Sequence, residues 1–526
     1  MNIFYKKNKN DNLFSDIKNY GVQEIQNYIP IYKRFFSLSE KNYNIINLNN
    51  VNFIDSIVER NSENLFVCNV VKDISCSEIT SRKKDIFIKF SPLLDPLKYM
   101  RGIEKIDMNN ILPTFHSEET TKIYDYNNSS YVDSFFYFII SKLLNEKQFI
   151  HGIDFYGSYL AIKENFLYNA EDEGEYLYES DFFKKNIGSL FDIVDCEEKV
   201  FTRNNKEKLS INDFNILLDV EDIECDVSMC EQEDMETLFV QEEDKNDNIS
   251  ESSTMSNSDD GDDDDSSDDD DDEVSSEASS IETVEDIICN IHKFPVQLIA
   301  IEKCDNTFDS LLEEGMSDDE LTSAIFQVLI MLITYKELFS FTHNDLHTNN
   351  IMYKKTDKQY LYYKWLDKHY KVPTFGRIFK IIDFGRSIYK YDDKLFCSDS
   401  FHPKGDAATQ YNFEPYYNPK KDRIEPNYSF DLCRLGCSMY DLLEENESDI
   451  SKLIKNWCLD DNEKNVLYKK NGDERYPDFK LYKMIARIVN KHIPKDVIQN
   501  DVFNKYVVSK KKMNMTKLMN INTLIN

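Results

Sequence analysis

The stretch FTHNDLHTNNIMY, residues 341–353, decides how the rest of the chain is read. It sets His343 two residues before Asp345, adds His347, and places Asn350 five residues after the carboxylate. The chain of 526 residues has eight histidines, and two of them stand in this one run. The run follows ELTSAIFQVLIMLITYKELFSF (320–341), which reads as a long, largely buried helix. Polar, chemically versatile side chains directly after a buried helix mark a loop whose residue types need explaining.

Downstream, KIIDF (380–384) reads as a short strand, and it leads into Asp383-Phe384-Gly385, thirty-three residues beyond Asn350. From 428 onward helical patterns dominate: YSFDLCRLGCSMYDLLEE, DISKLIKNWCL, FKLYKMIARIVNK and DVFNKYVV. Upstream the pattern is different. NVNFIDSIVE, NLFVCNVVKD and DIFIKFSPL, separated by polar breaks between 51 and 93, predict a meander of antiparallel strands. Residues 131–147 carry apolar side chains at 132, 135, 136, 139, 140, 143 and 144, the stripe of an amphipathic helix. FYGSYLAI (155–162) and FPVQLIAIEK (294–303) predict two further strands, and residues 1–50 a helical and irregular extension.

Charge is concentrated in one segment. Residues 219–286 hold thirty acidic side chains and a single basic one, Lys245, so 29 of the 34 net negative charges lie there. Charges this dense repel one another, and few apolar residues offset the entropy of ordering, so about 219–286 is expected to be disordered within a longer insertion, 163–290. Ser256, Ser266 and Ser267 each have an Asp three residues on, which suits acid-directed phosphorylation. The tract reads as a soluble spacer, with docking of a basic protein as the alternative. The eleven cysteines show no C-x-x-C pair, Cys225/Cys230 and Cys433/Cys437 included, which points to reduced thiols in an intracellular protein. No run of eighteen apolar residues and no leader-like start are present, so neither membrane nor secretion is expected; nor is nucleic acid a partner.

His343-x-Asp345-Leu346-x-x-x-Asn350 has the spacing of the protein-kinase catalytic loop, and Asp383-Phe384-Gly385 follows in the right order. SFDLCRLGCSMYDLL (429–443) resembles the kinase helix that begins D-x-W-S-x-G: Asp431 and Gly436 match, while Cys433 and Arg434 replace the Trp and Ser. The chain therefore resembles the protein-kinase superfamily over roughly 50–162 and 290–505, and more narrowly the serine/threonine kinases of giant, mimivirus-like DNA viruses. The resemblance implies an α+β, bilobal kinase-like fold with a small β-rich N-lobe (51–303, interrupted by the insertion), a larger helical C-lobe (304–508) and a tail (509–526). It implies ATP and Mg2+ as cofactors, a protein substrate, and a place in the host-cell cytoplasm or in the virion. Asp345 would be the base, with Asn350 and Asp383 holding the metal. Lys89 of DIFIKF would hold the phosphates, and an acidic residue of the 131–147 helix would pair with it, Asp133 ahead of Glu146. The backbone around Glu302, Lys303 and Cys304 would bind adenine. His343 and Asp431 would brace the loop.

Departures from the pattern open two rival readings. No glycine lies between Val51 and Lys89, so ERNSEN (59–64) stands where a Gly-rich loop would cover the phosphates. That favours a catalytically weak scaffold that binds basic partners through its acidic insertion. His347 occupies the position of a kinase lysine, a form shared with aminoglycoside- and choline-kinase-like enzymes. Asn344 replaces the Arg that binds an activation-loop phosphate.

Overall fold

The computed structural model describes residues 2–7, 10–72, 81–107, 110–115, 121–170, 174–194 and 288–525. The acidic tract, its serines, and Cys225 and Cys230 lie outside the described residues. The chain divides into two compact units, Met1–Tyr168 with Glu175–Asp192 and Cys289–Asn526, and Asn169–Gly174 with Ile193–Ile288. The elements that build the site belong to the first. The chain is mixed α+β, strand-rich in its first part and increasingly helical later.

The predicted meander is present as β4 (Asn52–Arg60), β5 (Leu65–Lys72) and β6 (Ser81–Pro92). Two longer strands, β7 (Phe155–Asn169) and β9 (Ile288–Glu302), together with β2 (Val22–Gln26), extend it into a sheet ordered β2-β7-β9-β6-β5-β4, with β8 (Phe191–Val194) beside β9. Successive side chains of a strand point to opposite faces. On one face Ile54, Ile88, Tyr159, Leu298 and Ala300 meet Leu13, Phe14 and Ile17 of α1 (Asp11–Lys18). On the other, Lys89 and Ser91 meet α2 (Ser129–Lys147).

Residues 1–50 are more regular than expected. Besides α1 they form β1 (Tyr5–Lys7) paired with β3 (Ile46–Leu48), and β2 (Val22–Gln26), which adds an edge to the main sheet through β7. β7 and β9 also run beyond their predicted ends, into the flanks of the segment read as an insertion. α2 is not the two-faced helix its stripe suggested. Asp133, Ser134 and Lys142 are buried along with the apolar positions. The cause is packing from several sides: Phe35, Tyr335, Tyr389 and Phe396 all touch its aromatic rings.

The later part begins with α3 (Phe308–Glu314) and α4 (Asp318–Phe339). A capping box between Ser317 and Glu320 starts α4, and Ser340, at φ +50°, ends it in the left-handed region. α4 has the length and apolarity of a membrane span, but 83% of that window is buried, as in a core helix. β11 (Ile351–Lys355) pairs antiparallel with β14 (Arg377–Ile381), and β10 (Asn306–Thr307) flanks β11. The strand predicted at 380–384 thus lies earlier, and Ile382–Phe384 is loop. Between β11 and β14 an unpredicted hairpin, β12 (Tyr360–Trp365) and β13 (Lys368–Pro373), takes up the connection. β15 (Ile388–Tyr391) and β16 (Lys394–Cys397) follow, then α5 (Phe430–Met439), α6 (Asp449–Trp457) and α7 (Phe479–Ile488). DVFNKYVV, expected as a helix, is a short 3-10 turn over Asp501–Tyr506. The segment read as a tail, 509–526, contains β17 (Leu518–Asn520), which pairs in parallel with β12.

The α2–β7 loop joins the strand-rich and later parts. His151 is fully buried between the Phe379 carbonyl and the Tyr363 hydroxyl, each 2.8 Å away. Burial pushes its imidazole down to about 4, so it is neutral, with Nδ1 donating to the carbonyl and Nε2 accepting from the phenol. Lys380 donates to the Gly152 carbonyl at 2.6 Å and pairs with Glu302. A methyl on Gly152 would overlap the Ile140 carbonyl oxygen of α2. Gly152→Ala should therefore destabilise the chain by about 1–3 kcal/mol, read as a lower urea midpoint at unchanged m-value.

Candidate active site

The antiparallel β11–β14 register brings two distant motifs together. Ile351 lies opposite Ile381, so Asn350 and Ile382 are neighbours, joined by a 2.9 Å bond from the Ile382 N–H to the Asn350 carbonyl. His343 reinforces the junction. Its Nε2 lies 2.9 Å from the Ile382 carbonyl, and its Nδ1 accepts from the Asp345 N–H at 3.3 Å. These contacts define the neutral tautomer protonated at Nε2.

The loop backbone is held from below by Asp431 of α5. Its two carboxylate oxygens accept from the His343 and Asn344 N–H groups, each at 2.9 Å. Asn344 sits at φ +64° in the left-handed region, where Asn is better tolerated than most residues. Its side chain accepts from the Tyr411 hydroxyl at 2.8 Å and donates to the Arg386 carbonyl at 3.0 Å. Asn350 donates through Nδ2 to the Asp345 carbonyl at 2.9 Å, which fixes the amide orientation and turns Oδ1 the other way.

Lys89 links this loop to the sheet. Its ammonium lies 2.8 Å from Asp133 Oδ2 and 2.8 Å from Asp383 Oδ1. Burial lowers the pKa of the lysine, but the two carboxylates outweigh it and raise the value well above the ordinary one. Asp133 uses its other oxygen to accept the Phe384 N–H at 2.8 Å. The Tyr137 hydroxyl accepts the Asp383 N–H at 2.9 Å. Asp383 is itself left-handed, at φ +62°, a conformation that side chains with a Cβ adopt at a cost and that these bonds hold in place. Burial would raise its carboxyl, yet Lys89 pulls it down to about 2. The Asp383 side chain keeps 47% of its surface open, so it is a carboxylate with a free side toward solvent.

Asp133, not Glu146, is thus the helix residue that meets Lys89; Glu146 pairs with Lys142 one turn back. The carboxylate of Glu302 is taken up by Lys380 and, at 3.6 Å, by Lys354, and its N–H donates to the Asp154 carbonyl. The Cys304 thiol is buried and pushed up to about 12 by that burial. Neither side chain is available to a ligand, so any contribution from these residues comes from backbone. ERNSEN forms the tight β4–β5 turn, in which the Asn64 carbonyl accepts the N–H of Ile88, the neighbour of Lys89, and the Asn64 side-chain Nδ2 donates to the Ile88 carbonyl, each at 2.8 Å. Arg60 pairs with Glu63, which also binds Lys163, so charged side chains tie this turn.

Three features lay beyond the sequence. Phe87, two residues before Lys89 on the same face of β6, is 37% exposed. Arg386 reaches both Asp406, at 2.5 Å, and Asp345, at 3.6 Å. Tyr482 of α7 donates to Asp345 Oδ1 at 2.7 Å. Arg386 directly follows the D-F-G run, and Arg434, which holds Tyr482, replaces a motif serine; these two arginines were the available signal.

The segment after Gly385 anchors α2. Asp399 accepts the Ser129 N–H at 2.9 Å, and Lys122 lies 3.7 Å from its other oxygen, which has no hydrogen bond among the described residues. Burial raises the Asp399 carboxyl to about 6, helped by Asp125 and Asp406 and opposed by Lys122 and the Ser129 N–H. A raised carboxyl binds its proton on folding, so its contribution to stability is full below about pH 4 and is lost as pH rises through about 6. Asp399→Asn keeps the acceptor and removes the charge. Relative to the natural chain it should gain about 2 kcal/mol between pH 4.5 and pH 7.5 in denaturant titrations.

Over 104 residues the chain is 34% identical to "Putative serine/threonine-protein kinase R301" of Acanthamoeba polyphaga mimivirus. The match covers 16% of this chain and 26% of that protein, about a quarter of the relative's length. No family model matches the chain. The likeness relates a short stretch of the chain to a protein that carries a kinase name.

Proposed function

We propose that the chain is a kinase of the protein-kinase type, which moves the γ-phosphoryl group of ATP to serine or threonine hydroxyls of proteins. The observation that carries this reading is Lys89 bridging Asp133 and Asp383, with Asp345 and Asn350 on a loop hydrogen-bonded to the same junction. Little covalent chemistry falls to the protein in phosphoryl transfer; position and charge do most of it. In this reading Lys89 neutralises the α- and β-phosphates, and Asp133 keeps the ammonium aimed. Asp345 orients the acceptor hydroxyl and takes its proton. Phe87 offers an aromatic face for the base, and the backbone from Glu302 to Cys304 supplies its polar contacts.

The donors suit Mg2+. Asp383 and the Asn350 amide oxygen are hard oxygen ligands, and Mg2+ is commonly held by one or two protein groups together with phosphate oxygens. Among the described residues no group of three or more His, Cys, Asp or Glu side chains could hold a metal, so the rest of the shell would be phosphate and water. When bound, the ion would neutralise charge on the transferring phosphoryl group.

The turn without glycine favours a second reading, a scaffold with weak nucleotide affinity that recruits basic proteins through its acidic tract. Its charged side chains, tied to one another, give phosphate no close backbone approach of the kind glycine permits. Transfer of labelled γ-phosphate from Mg-ATP to a mixed protein substrate separates the two. The natural chain should transfer label, and Asp345→Asn should reduce the rate by about 100-fold or more. Equal silence of both proteins would leave the scaffold. Label passing to an amino-sugar or choline acceptor and not to protein would favour the small-molecule reading of His347.

A further inference from the structure

Tyr482 has no part in the reading above, yet its hydroxyl makes the shortest contact to Asp345 among those described here. The residue belongs to α7, 137 positions from Asp345 in the chain. Its ring is held on several sides. It stacks on Phe479 at 5.4 Å, touches Phe430 at 5.8 Å, and has the Arg434 and Arg386 guanidinium carbons 5.3 and 5.6 Å from its centroid. The hydroxyl is committed in both directions. It accepts from Arg434 Nε at 2.8 Å and donates to Asp345 Oδ1 at 2.7 Å.

The two oxygens of Asp345 are therefore unequal. Oδ1 takes a short hydrogen bond from a neutral phenol that is itself fixed by a cation. Among the described residues Oδ2 has the Arg386 guanidinium at 3.6 Å, beyond hydrogen-bond length. Arg386 is drawn the other way by Asp406 at 2.5 Å. The arrangement locks the rotamer of Asp345 through one oxygen and leaves the second for another donor.

We infer that Tyr482, held by Arg434, is a positioning residue for Asp345: it fixes the carboxylate through Oδ1 so that Oδ2 meets the acceptor hydroxyl. The inference rests on Asp345 being the base. Arg434 stands where the kinase helix has a serine, so that departure from the family pattern supplies the cation that holds Tyr482.

The contrary role is sharply different. A hydroxyl donating to the base is also the contact an acceptor would make, and a Tyr482 that occupied the acceptor's place would restrain the enzyme. Steady-state kinetics of the full chain with Mg-ATP and a protein acceptor decides between them. Tyr482→Phe deletes one oxygen and keeps the packing. It should lower kcat about tenfold with KM for ATP unchanged, and Arg434→Gln should do the same to a smaller degree. An unchanged or raised kcat, or a lower KM for the acceptor, would overturn the inference. A second readout needs no turnover. In a chain labelled with 13C at tyrosine Cζ, the Tyr482 resonance, identified by its loss in Tyr482→Phe, should move in Asp345→Asn; a resonance that stays in place overturns the contact. If that resonance moves while the natural chain transfers no phosphate, the fault lies in the kinase reading on which the inference rests and not in the Tyr482–Asp345 contact, which has been read directly.

Discussion

One ammonium, that of Lys89, is shared by two carboxylates that lie far apart in the chain. Asp133 comes from α2 and Asp383 from the loop after β14. Asp133 is fully buried, and a buried carboxylate left without its cation typically costs about 3–5 kcal/mol. The three groups consequently constrain the elements that carry them. If α2 swings away, Asp133 loses both Lys89 and the Phe384 N–H. If the Asp383 loop turns over, Lys89 loses its second counter-charge. The left-handed backbone at Asp383 is held by these same bonds, so a locally strained residue is the natural outcome of the shared cation.

Around that bridge the fold supplies a frame of backbone bonds. Asp431 fixes the catalytic-looking loop from α5, the β11–β14 ladder sets Asn350 beside Ile382, and Asp399 pins the start of α2. Glu302 and Lys380 form a second buried pair between β9 and β14. Its effect is to tie the end of the main sheet to the strand that presents Asp383. The aromatic packing of α2 follows the same logic. Phe136 lies within ring contact of Tyr335, Phe341, Phe384 and Tyr389, so the helix that offers Asp133 is locked to α4, to the loop and to β15 at once.

Much of this was legible because local spacing encodes it. His343, Asp345 and Asn350 fall within one loop, and Asp383 follows a strand; a linear reading finds both. Lys89 could be placed because three alternating strands leave few choices for their order. The choice between Asp133 and Glu146 was open, since both flank one stripe, and only the register of α2 against β6 decides it. Tyr482 was invisible for a different reason. FKLYKMIARIVNK reads as an ordinary amphipathic helix, and nothing local says that one of its rings meets a residue 137 positions away. The β12–β13 hairpin escaped because its turn, Leu366-Asp367, lacks the usual Gly or Asn, although Leu366 adopts φ +51°. The strands of residues 1–50 are short: β1 and β3, of three residues each, pair with one another across some forty positions, and the pairing of the polar β2 is set by the distant β7 and not by its own pattern.

In the kinase reading, Lys89, held by Asp133 and Asp383, would seat the nucleotide phosphates. Isothermal titration of Mg-ATP into the natural chain and into Lys89→Met tests it most directly, since it reads binding without turnover. The account predicts saturable binding to the natural chain and an affinity at least about tenfold weaker in the variant, with both proteins folded. Equal affinity in the two, or no binding to the natural chain at millimolar nucleotide, would contradict it and leave the Lys89 bridge as a structural clamp alone.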